Sequence, residues 1–197
     1  MVRKLPLVLA LLFAFAAPTW ADFAAGETAH KTKNFAEAVK WFRRAAAQGH
    51  AAAQVNLGSI YGKGRGTPQN YAESAKWFRK AAEQGLDTAQ FNLGLMYHSG
   101  RGVARNYAES AKWFREAAEQ GVAIAQNNLG VMYYDGQGVT RNYVCAYMWL
   151  SLSGVQGTSA NAKIMADLER HMTPIDRSRA QRLAAAWTPG AEACRPR

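Results

Sequence analysis

A segment of 36 residues recurs along the chain and constrains its fold more than any other feature. Residues 70–105 and 106–141 agree at most positions, and residues 34–69 match both at the same offset. A fourth unit, starting at Asn142, keeps only a few of the repeated residues, among them Trp149. Units of this length each form one supersecondary element, and they bury their apolar faces by stacking on their neighbours. The sequence therefore predicts a repeat array in place of one globular core.

Each unit reads as a helix, a tight turn, a second helix and a glycine loop. The first helix opens with an asparagine N-cap and a glutamate three residues later, as in a capping box. These pairs are Asn34 with Glu37, Asn70 with Glu73 and Asn106 with Glu109. Gly85 follows at the position where left-handed backbone is favoured, and the second helix is expected from about Asp87 to Tyr97. Gly94 lies inside it at a cost of about 1 kcal/mol relative to alanine, so its recurrence predicts a close helix contact.

The first 21 residues have the pattern of a Sec-type bacterial signal peptide. Arg3 and Lys4 precede an apolar run over residues 5–17, and small residues stand at positions −3 and −1 of a cleavage site after Ala21. A retained membrane helix is the weaker alternative, because a span needs about 20 apolar residues. We expect export to the periplasm or beyond, and a capping helix over 22–33. Cleavage would take the formal net charge from +10 to +8, still basic.

The C-terminal part is expected to close the array. Capping helices are predicted over 158–187, the second of them starting at Thr173-Pro174 with proline at N1, followed by a tail over 188–197. Cys145 and Cys194 are the two cysteines of the chain. In an oxidising compartment they are candidates for a disulfide that would pin the tail to the last repeat. Two unpaired thiols are the alternative, since a disulfide needs Cα atoms within about 7 Å of each other.

A longer pattern points to a known family. It runs Ala89-x3-Leu93-Gly94-x2-Tyr97-x2-Gly100-x-Gly102-Val103 and continues Tyr107-x4-Ala111-x-Trp113-x3-Ala117-Ala118-x-Gln120-Gly121. This pattern resembles the Sel-one-like repeat (SLR) family, a relative of the tetratricopeptide repeat, over roughly residues 34–156. The resemblance implies an all-α fold, an α/α superhelical solenoid of helix pairs, and a role as an adaptor for other proteins.

No catalytic or metal-binding pattern stands out. The four histidines fall at non-equivalent positions of the units, with no two of them three or four residues apart, as metal ligands on one helix would be. They are His30, His50, His98 and His171. The glycine-rich residues 62–66 follow a helix without a preceding strand, so they read as a turn rather than a phosphate loop. We expect no catalytic residue, no cofactor, no metal and no nucleic-acid partner.

Positions that vary while their neighbours repeat are the candidates for binding. If the second helices line the concave side, as in the resembling family, the varied positions form a groove for a protein or peptide. The varied candidate groove residues are Val55, Phe91, Leu95, His98, Asn127, Val131 and Tyr134, and the repeated asparagines Asn56, Asn92 and Asn128 complete the candidate set. The repeated asparagines, such as Asn92, could offer side-chain amides to a peptide backbone. A hydrogen bond to the adjoining loop is an equally good alternative.

Repeated aromatic and basic residues are given structural roles. Tryptophan and tyrosine at helical spacing are expected in the core, and the lysine and arginine ladders are expected on a solvated face shared with glutamates. The aromatic set is Trp41, Trp77, Trp113, Tyr61, Tyr97 and Tyr133, and the arginine ladder is Arg43, Arg79 and Arg115.

Three hypotheses of function follow. The leading one is a non-catalytic exported scaffold that binds a protein or peptide. The second is a protein that binds or hydrolyses cell-wall material or β-lactams, an activity of cysteine-rich relatives in the resembling family, although this chain lacks a cysteine pair in each repeat. The third is a basic binder of an anionic envelope component, whose retention would fall steeply with salt.

Overall fold

Helices account for all the regular structure in the part of the chain that the computed structural model describes, residues 17–154, 159–190 and Cys194. These residues contain ten α-helices and no strand. The helices are α1 (Ala17–Lys31), α2 (Phe35–Ala47), α3 (Ala51–Lys63), α4 (Tyr71–Glu83), α5 (Asp87–Ser99), α6 (Tyr107–Glu119), α7 (Ala123–Asp135), α8 (Tyr143–Leu152), α9 (Ser159–His171) and α10 (Pro174–Ala185). The expected all-α architecture of helix pairs is confirmed.

The chain divides into two compact units, residues 1–84 and 85–197. The first unit contains α1 to α4 and the second contains α5 to α10. Most of the predicted signal peptide, residues 1–16, lies outside the described residues. Within the described ranges, every helix is too short or too polar to cross a lipid bilayer.

The asparagine caps form as the sequence predicts. In α2, α4, α6 and α8 the residue before the helix is an asparagine, and its side-chain oxygen accepts a hydrogen bond from the backbone N–H three residues later. The donors are Glu37, Glu73, Glu109 and Cys145, at 3.4, 3.0, 3.1 and 3.1 Å. Each cap satisfies one of the backbone donors that a helix start leaves without a partner. The same device therefore sets the start of four helices.

Glycines within helices allow the next helix to approach closely. A Cβ atom built on Gly94 of α5 would lie 2.6 Å from Cδ1 of Phe114 in α6, closer than carbon atoms come in proteins. The three other pairs of this kind are Gly26 with Phe42, Gly58 with Phe78 and Gly130 with Leu150. The close helix contact predicted from the repeated glycine is confirmed. The tightly packed pairs are α1 with α2, α3 with α4, α5 with α6, and α7 with α8.

Helix α1 covers the first repeat, and it packs against α2 in the way that the second helix of a repeat packs against the next helix. It begins at Ala17, upstream of the expected 22–33 segment, and Gly26 makes the glycine contact described above. Asp22 lies four residues before Gly26, as Gln54 lies four residues before Gly58, and both polar side chains are buried. The Asp22 carboxylate is 3.2 Å from the Arg44 guanidinium, which offsets part of the cost of burying a charge.

The C-terminal helices bury the last repeat of the second unit. Trp149 of α8 is fully buried, and the ring of Trp187 meets it edge-on at 6.1 Å. Leu183 and Ala184 of α10 pack against the same core, so the predicted closing helix covers the repeat. A disulfide joins Cys145 to Cys194, with their Cα atoms 5.6 Å apart.

Replacing Gly94 with alanine should destabilise the protein by about 1–3 kcal/mol, the usual cost of overpacking a core. In a helix position that faces solvent, the same change stabilises by about 1 kcal/mol. A loss of stability would therefore indicate that the added methyl group meets Phe114. Urea unfolding followed by circular dichroism measures the change. The second substitution Phe114→Leu should cost less in the Gly94→Ala background than in the wild type, and simply additive effects would contradict the packing.

Replacing Cys145 and Cys194 together with serine should lower the free energy of unfolding by about 2–4 kcal/mol, because the bond restricts the unfolded chain. The two cysteines are 49 residues apart in sequence. Thermal unfolding without reductant compares the double variant with the wild type. Reductant should bring the wild type to the variant's stability, and an unchanged wild type would show that the bond contributes nothing.

Candidate binding surface

The candidate groove residues lie on the second helix of a repeat, in both units. Val55 and Asn56 belong to α3 of the first unit. The others belong to the second unit, where Phe91, Asn92, Leu95 and His98 lie on α5 and Asn127, Asn128, Val131 and Tyr134 lie on α7.

Four of these residues meet around one small cavity of about 60 Å³ in the second unit. Leu95 and His98 reach it from α5, and Asn128 and Val131 reach it from α7. Phe114, Met132 and Gln137 complete the lining. We call Leu95, His98, Asn128 and Val131 the α5–α7 surface. Positions that are 33 residues apart in sequence, such as Leu95 and Asn128, thus become neighbours.

The α5–α7 surface combines apolar and hydrogen-bonding groups. Leu95 is 39% exposed. His98 is exposed at the end of α5, and its ring lies edge-on to Tyr107 at 5.3 Å. The Asn128 amide supplies donors and an acceptor. A surface of this kind can seat an apolar side chain while it hydrogen-bonds to a backbone.

The repeated asparagines do not share one role. Asn56 donates from Nδ2 to the Glu27 carboxylate of α1 at 2.8 Å, and Asn92 donates to the Thr88 carbonyl of its own helix at 2.7 Å. Both amides are used within the protein, by a neighbouring helix or by the same helix. Asn127 differs, since its Nδ2 is buried and makes no hydrogen bond with the described part of the chain.

Three further candidates take part in packing. The Phe91 ring lies 5.8 Å from the ring of Phe114. Val55 is half-buried on α3. Tyr134 donates a hydrogen bond to the Asp167 carboxylate of α9 at 2.7 Å. That bond holds the pKa of Asp167 below its ordinary value and raises the pKa of Tyr134, because ionising the phenol would place two negative charges together.

One residue of this region was not predicted. Ile124 is 54% exposed on α7, four residues before Asn128 and seven before Val131, so all three share one helix face. The signal was present in the sequence, because this position also varies between repeats, as Ala52, Thr88 and Ile124. Its place in the first turn of the helix kept it outside the predicted set.

The repeated tryptophans Trp41, Trp77 and Trp113 are half-buried and not enclosed in the core, although Trp77 packs against the core of the first unit. Each lies beneath a cation, which attracts the negative face of the indole ring. The cations are Arg44, Lys80 and Lys112, at 5.0, 4.8 and 5.2 Å from the ring centres. Tyr61 and Tyr133 are buried as predicted.

Two arginines of the ladder, Arg43 and Arg115, make hydrogen bonds within the protein. Arg43 donates to the Tyr61 hydroxyl, from Nε at 2.9 Å and also from Nη2. Arg115 donates from Nη2 to the Tyr133 hydroxyl at 2.9 Å. The expectation of a purely solvated mixed face therefore fails for these two arginines, each of which is held by the tyrosine of the following helix. The described residues hold no group of three histidine, cysteine or acidic side chains placed to bind a metal ion.

The helix pairs and their glycine contacts define an α-helical repeat protein. The Sel1 repeat family model matches residues 26–50, 51–86, 87–122 and 123–157. The chain therefore belongs to the Sel1 repeat family. The matched segments coincide with the packed pairs: α3 with α4, α5 with α6, and α7 with α8 each share one segment, and the first segment runs from Gly26 through α2.

Two solved structures resemble this chain. A Sel1 repeat protein from Oxalobacter formigenes is 34% identical with a TM-score of 0.68, over 76% of this chain and 61% of that one. A protective antigen of uropathogenic Escherichia coli strains, described as displaying an SLR fold, is 28% identical with a TM-score of 0.56, over 86% of this chain and 45% of that one. The chain thus spans less than two thirds of either protein, and the expected solenoid class of fold is confirmed. No curated protein sequence matches.

Replacing Tyr134 with phenylalanine tests the bond to Asp167. Above the ordinary Asp167 pKa of 3.8, the bond makes its full contribution to the stability of the folded state. This contribution is lost as the pH falls through the lowered pKa that Asp167 has in the folded protein. It is also lost as pH rises through the raised Tyr134 pKa, above the ordinary 10.0. Chemical denaturation across pH should show the largest difference between wild type and variant at neutral pH. A difference that does not change with pH would contradict the assignment.

Proposed function

We propose that this protein is a non-catalytic scaffold that binds another protein or a peptide through the α5–α7 surface, with Ile124 extending it. The observation that carries the proposal is the meeting of Leu95, His98, Asn128 and Val131 around one cavity. Leu95, His98 and Val131 stand at positions that vary between repeats, so they are free to determine what is bound, whereas Asn128 recurs in each of the three regular units. Membership of the Sel1 repeat family supports an interaction role.

The size of the cavity indicates how such a partner would be held. At about 60 Å³ it accommodates one small apolar group and lies well below the 300–1,000 Å³ typical of small-molecule sites. Leu95 and Val131 would bury an apolar side chain of the partner, and Asn128 would hydrogen-bond its backbone. The partner is thus a polypeptide surface with at least one protruding apolar side chain.

We also propose that the protein acts after export, in the periplasm or outside the cell. The pattern of residues 1–21 supports this, and so does the Cys145–Cys194 bond, because disulfides persist in oxidising compartments. Cleavage after Ala21 would fall inside α1, so processing has to precede folding of that helix. Intact-mass measurement of protein recovered from the periplasm tests the proposal, and a full-length cytoplasmic product would contradict it.

The double variant Leu95→Ser/Val131→Ser should bind its partner at least about tenfold more weakly, since each apolar side chain that is fully buried contributes about 1.5–3 kcal/mol. The measurement has two steps. A photo-crosslinking amino acid at Ile124 first captures the partner in intact cells for mass spectrometry, and the purified pair is then titrated.

The matched control is Ile175→Ser on α10, which removes an aliphatic side chain that is 77% exposed and does not line the cavity. It should leave binding unchanged. Equal affinity of the double variant and the wild type would contradict the surface assignment. Hydrolysis of a chromogenic β-lactam by the purified protein would contradict the non-catalytic role.

A further inference from the structure

A second and larger cavity, of about 420 Å³, lies in the second unit away from the α5–α7 surface. It forms where α6, the end of α7, the loop over 138–140 and the start of α8 meet, and the disulfide closes one side. Its lining residues are Ala108, Ala111, Arg115, Tyr133, Gly138, Val139, Thr140, Asn142, Cys145 and Cys194. Its volume falls within the range of small-molecule sites.

Among the described residues that line this cavity, Arg115 is the only charged one. Its Nη2 donates to the Tyr133 hydroxyl at 2.9 Å, whereas its Nε is buried and makes no hydrogen bond with the described residues. Within the same part of the chain, no carboxylate lies within ion-pair distance of its guanidinium. A buried donor without a partner is costly, and here the donor is part of a cation.

The equivalent pair in the first unit shows what is different. There Arg43 donates from both Nε and Nη2 to the Tyr61 hydroxyl, so its Nε is satisfied. In the second unit the Tyr133 hydroxyl donates to the Cys194 carbonyl and accepts from Arg115 through Nη2 alone. The Cys194 carbonyl thus engages the tyrosine, and among the described residues Nε of the arginine has no acceptor.

The repeat register shows a second difference. Cys145 is the third residue after its N-cap asparagine, the place that a glutamate holds in the three regular units. Those glutamates are Glu37, Glu73 and Glu109. In the last repeat this position therefore carries a sulfur bonded to Cys194 in place of a carboxylate. Arg115 then has no carboxylate beside it among the described lining residues.

We propose that this cavity binds a carboxylate group. Arg115 lines the cavity, and its planar guanidinium carries N–H groups whose arrangement matches the two oxygens of a carboxylate. Thr140 and Asn142 add polar side chains to the wall, and Ala108, Ala111 and Val139 add apolar area. The ligand is a small carboxylic acid or the C-terminal carboxylate of a peptide, since both carry the same group.

Titration of the intact oxidised protein with four probes tests the proposal. The probes are N-acetylalanine, N-acetylalanine amide, acetate and inorganic phosphate. The readout is the NMR signal of the Arg115 Nε–H group, assigned by its loss in Arg115→Lys. N-acetylalanine should shift this signal saturably, and the amide should not, because it lacks the charge. Affinity for N-acetylalanine at least about tenfold above that for acetate identifies a peptide terminus, and equal affinities identify a free acid.

Matched variants locate the site. Arg115→Gln should weaken N-acetylalanine binding about tenfold or more, the effect of losing hydrogen bonds to a charged group. Arg43→Gln removes the equivalent arginine of the first unit and should leave binding unchanged. The double serine variant of Cys145 and Cys194 should lose binding, because residue 194 is no longer held in the cavity wall.

Three results would overturn the proposal. They are the absence of a saturable shift with either carboxylate, an equal shift with the amide, and a response to phosphate alone. The comparison between acid and amide uses the wild-type protein, so it holds even where a variant folds poorly. Unchanged binding in the double serine variant would overturn the part assigned to the tail.

Discussion

The contact between a helical glycine and a side chain of the next helix is the constraint on which the repeat packing depends. Without a Cβ on Gly94, the ring of Phe114 lies against the backbone of α5, which brings two helices together over their full apolar faces. Glycine costs helix stability wherever it occurs, so the arrangement persists because burial of the ring more than offsets that cost. The same contact occurs in four helix pairs, each made of one helix and the asparagine-capped helix that follows it. The matched family segments follow these pairs, so they begin one helix before the asparagine caps.

The last repeat departs from the others because it is covered by α9 and α10 instead of another repeat. In the regular units the tryptophan is half-buried beneath a cation, whereas Trp149 is fully enclosed next to Trp187. In the register of this helix Cys145, Met148 and Leu152 stand where the preceding unit has Glu109, Lys112 and Glu116. The Cys145–Cys194 disulfide also forms one wall of the cavity beside Arg115.

Binding positions could be predicted only in part. Comparison of the repeats identified Leu95, His98 and Val131 as varied and Asn128 as repeated, and the structure places all four around one cavity. The repeated Asn56 and Asn92 were selected for the same amide group, which in these two residues is used by Glu27 and by the Thr88 carbonyl. A repeated residue type does not report the hydrogen bond that its side chain makes in one repeat alone. The role of Arg115 could not be seen either, because it depends on a tail residue far along the chain.

The sequence by itself determined the helices, their asparagine caps, the glycine contacts and the repeat period. All of these depend on residues a few positions apart or on a fixed period, which a linear pattern records directly. The tertiary structure decided which candidate residues share a surface, that Cys145 lies within bonding distance of Cys194, and that Arg115 has no carboxylate partner in the described part of the chain. These properties depend on distances between residues tens of positions apart, and only the packing of the helices sets those distances.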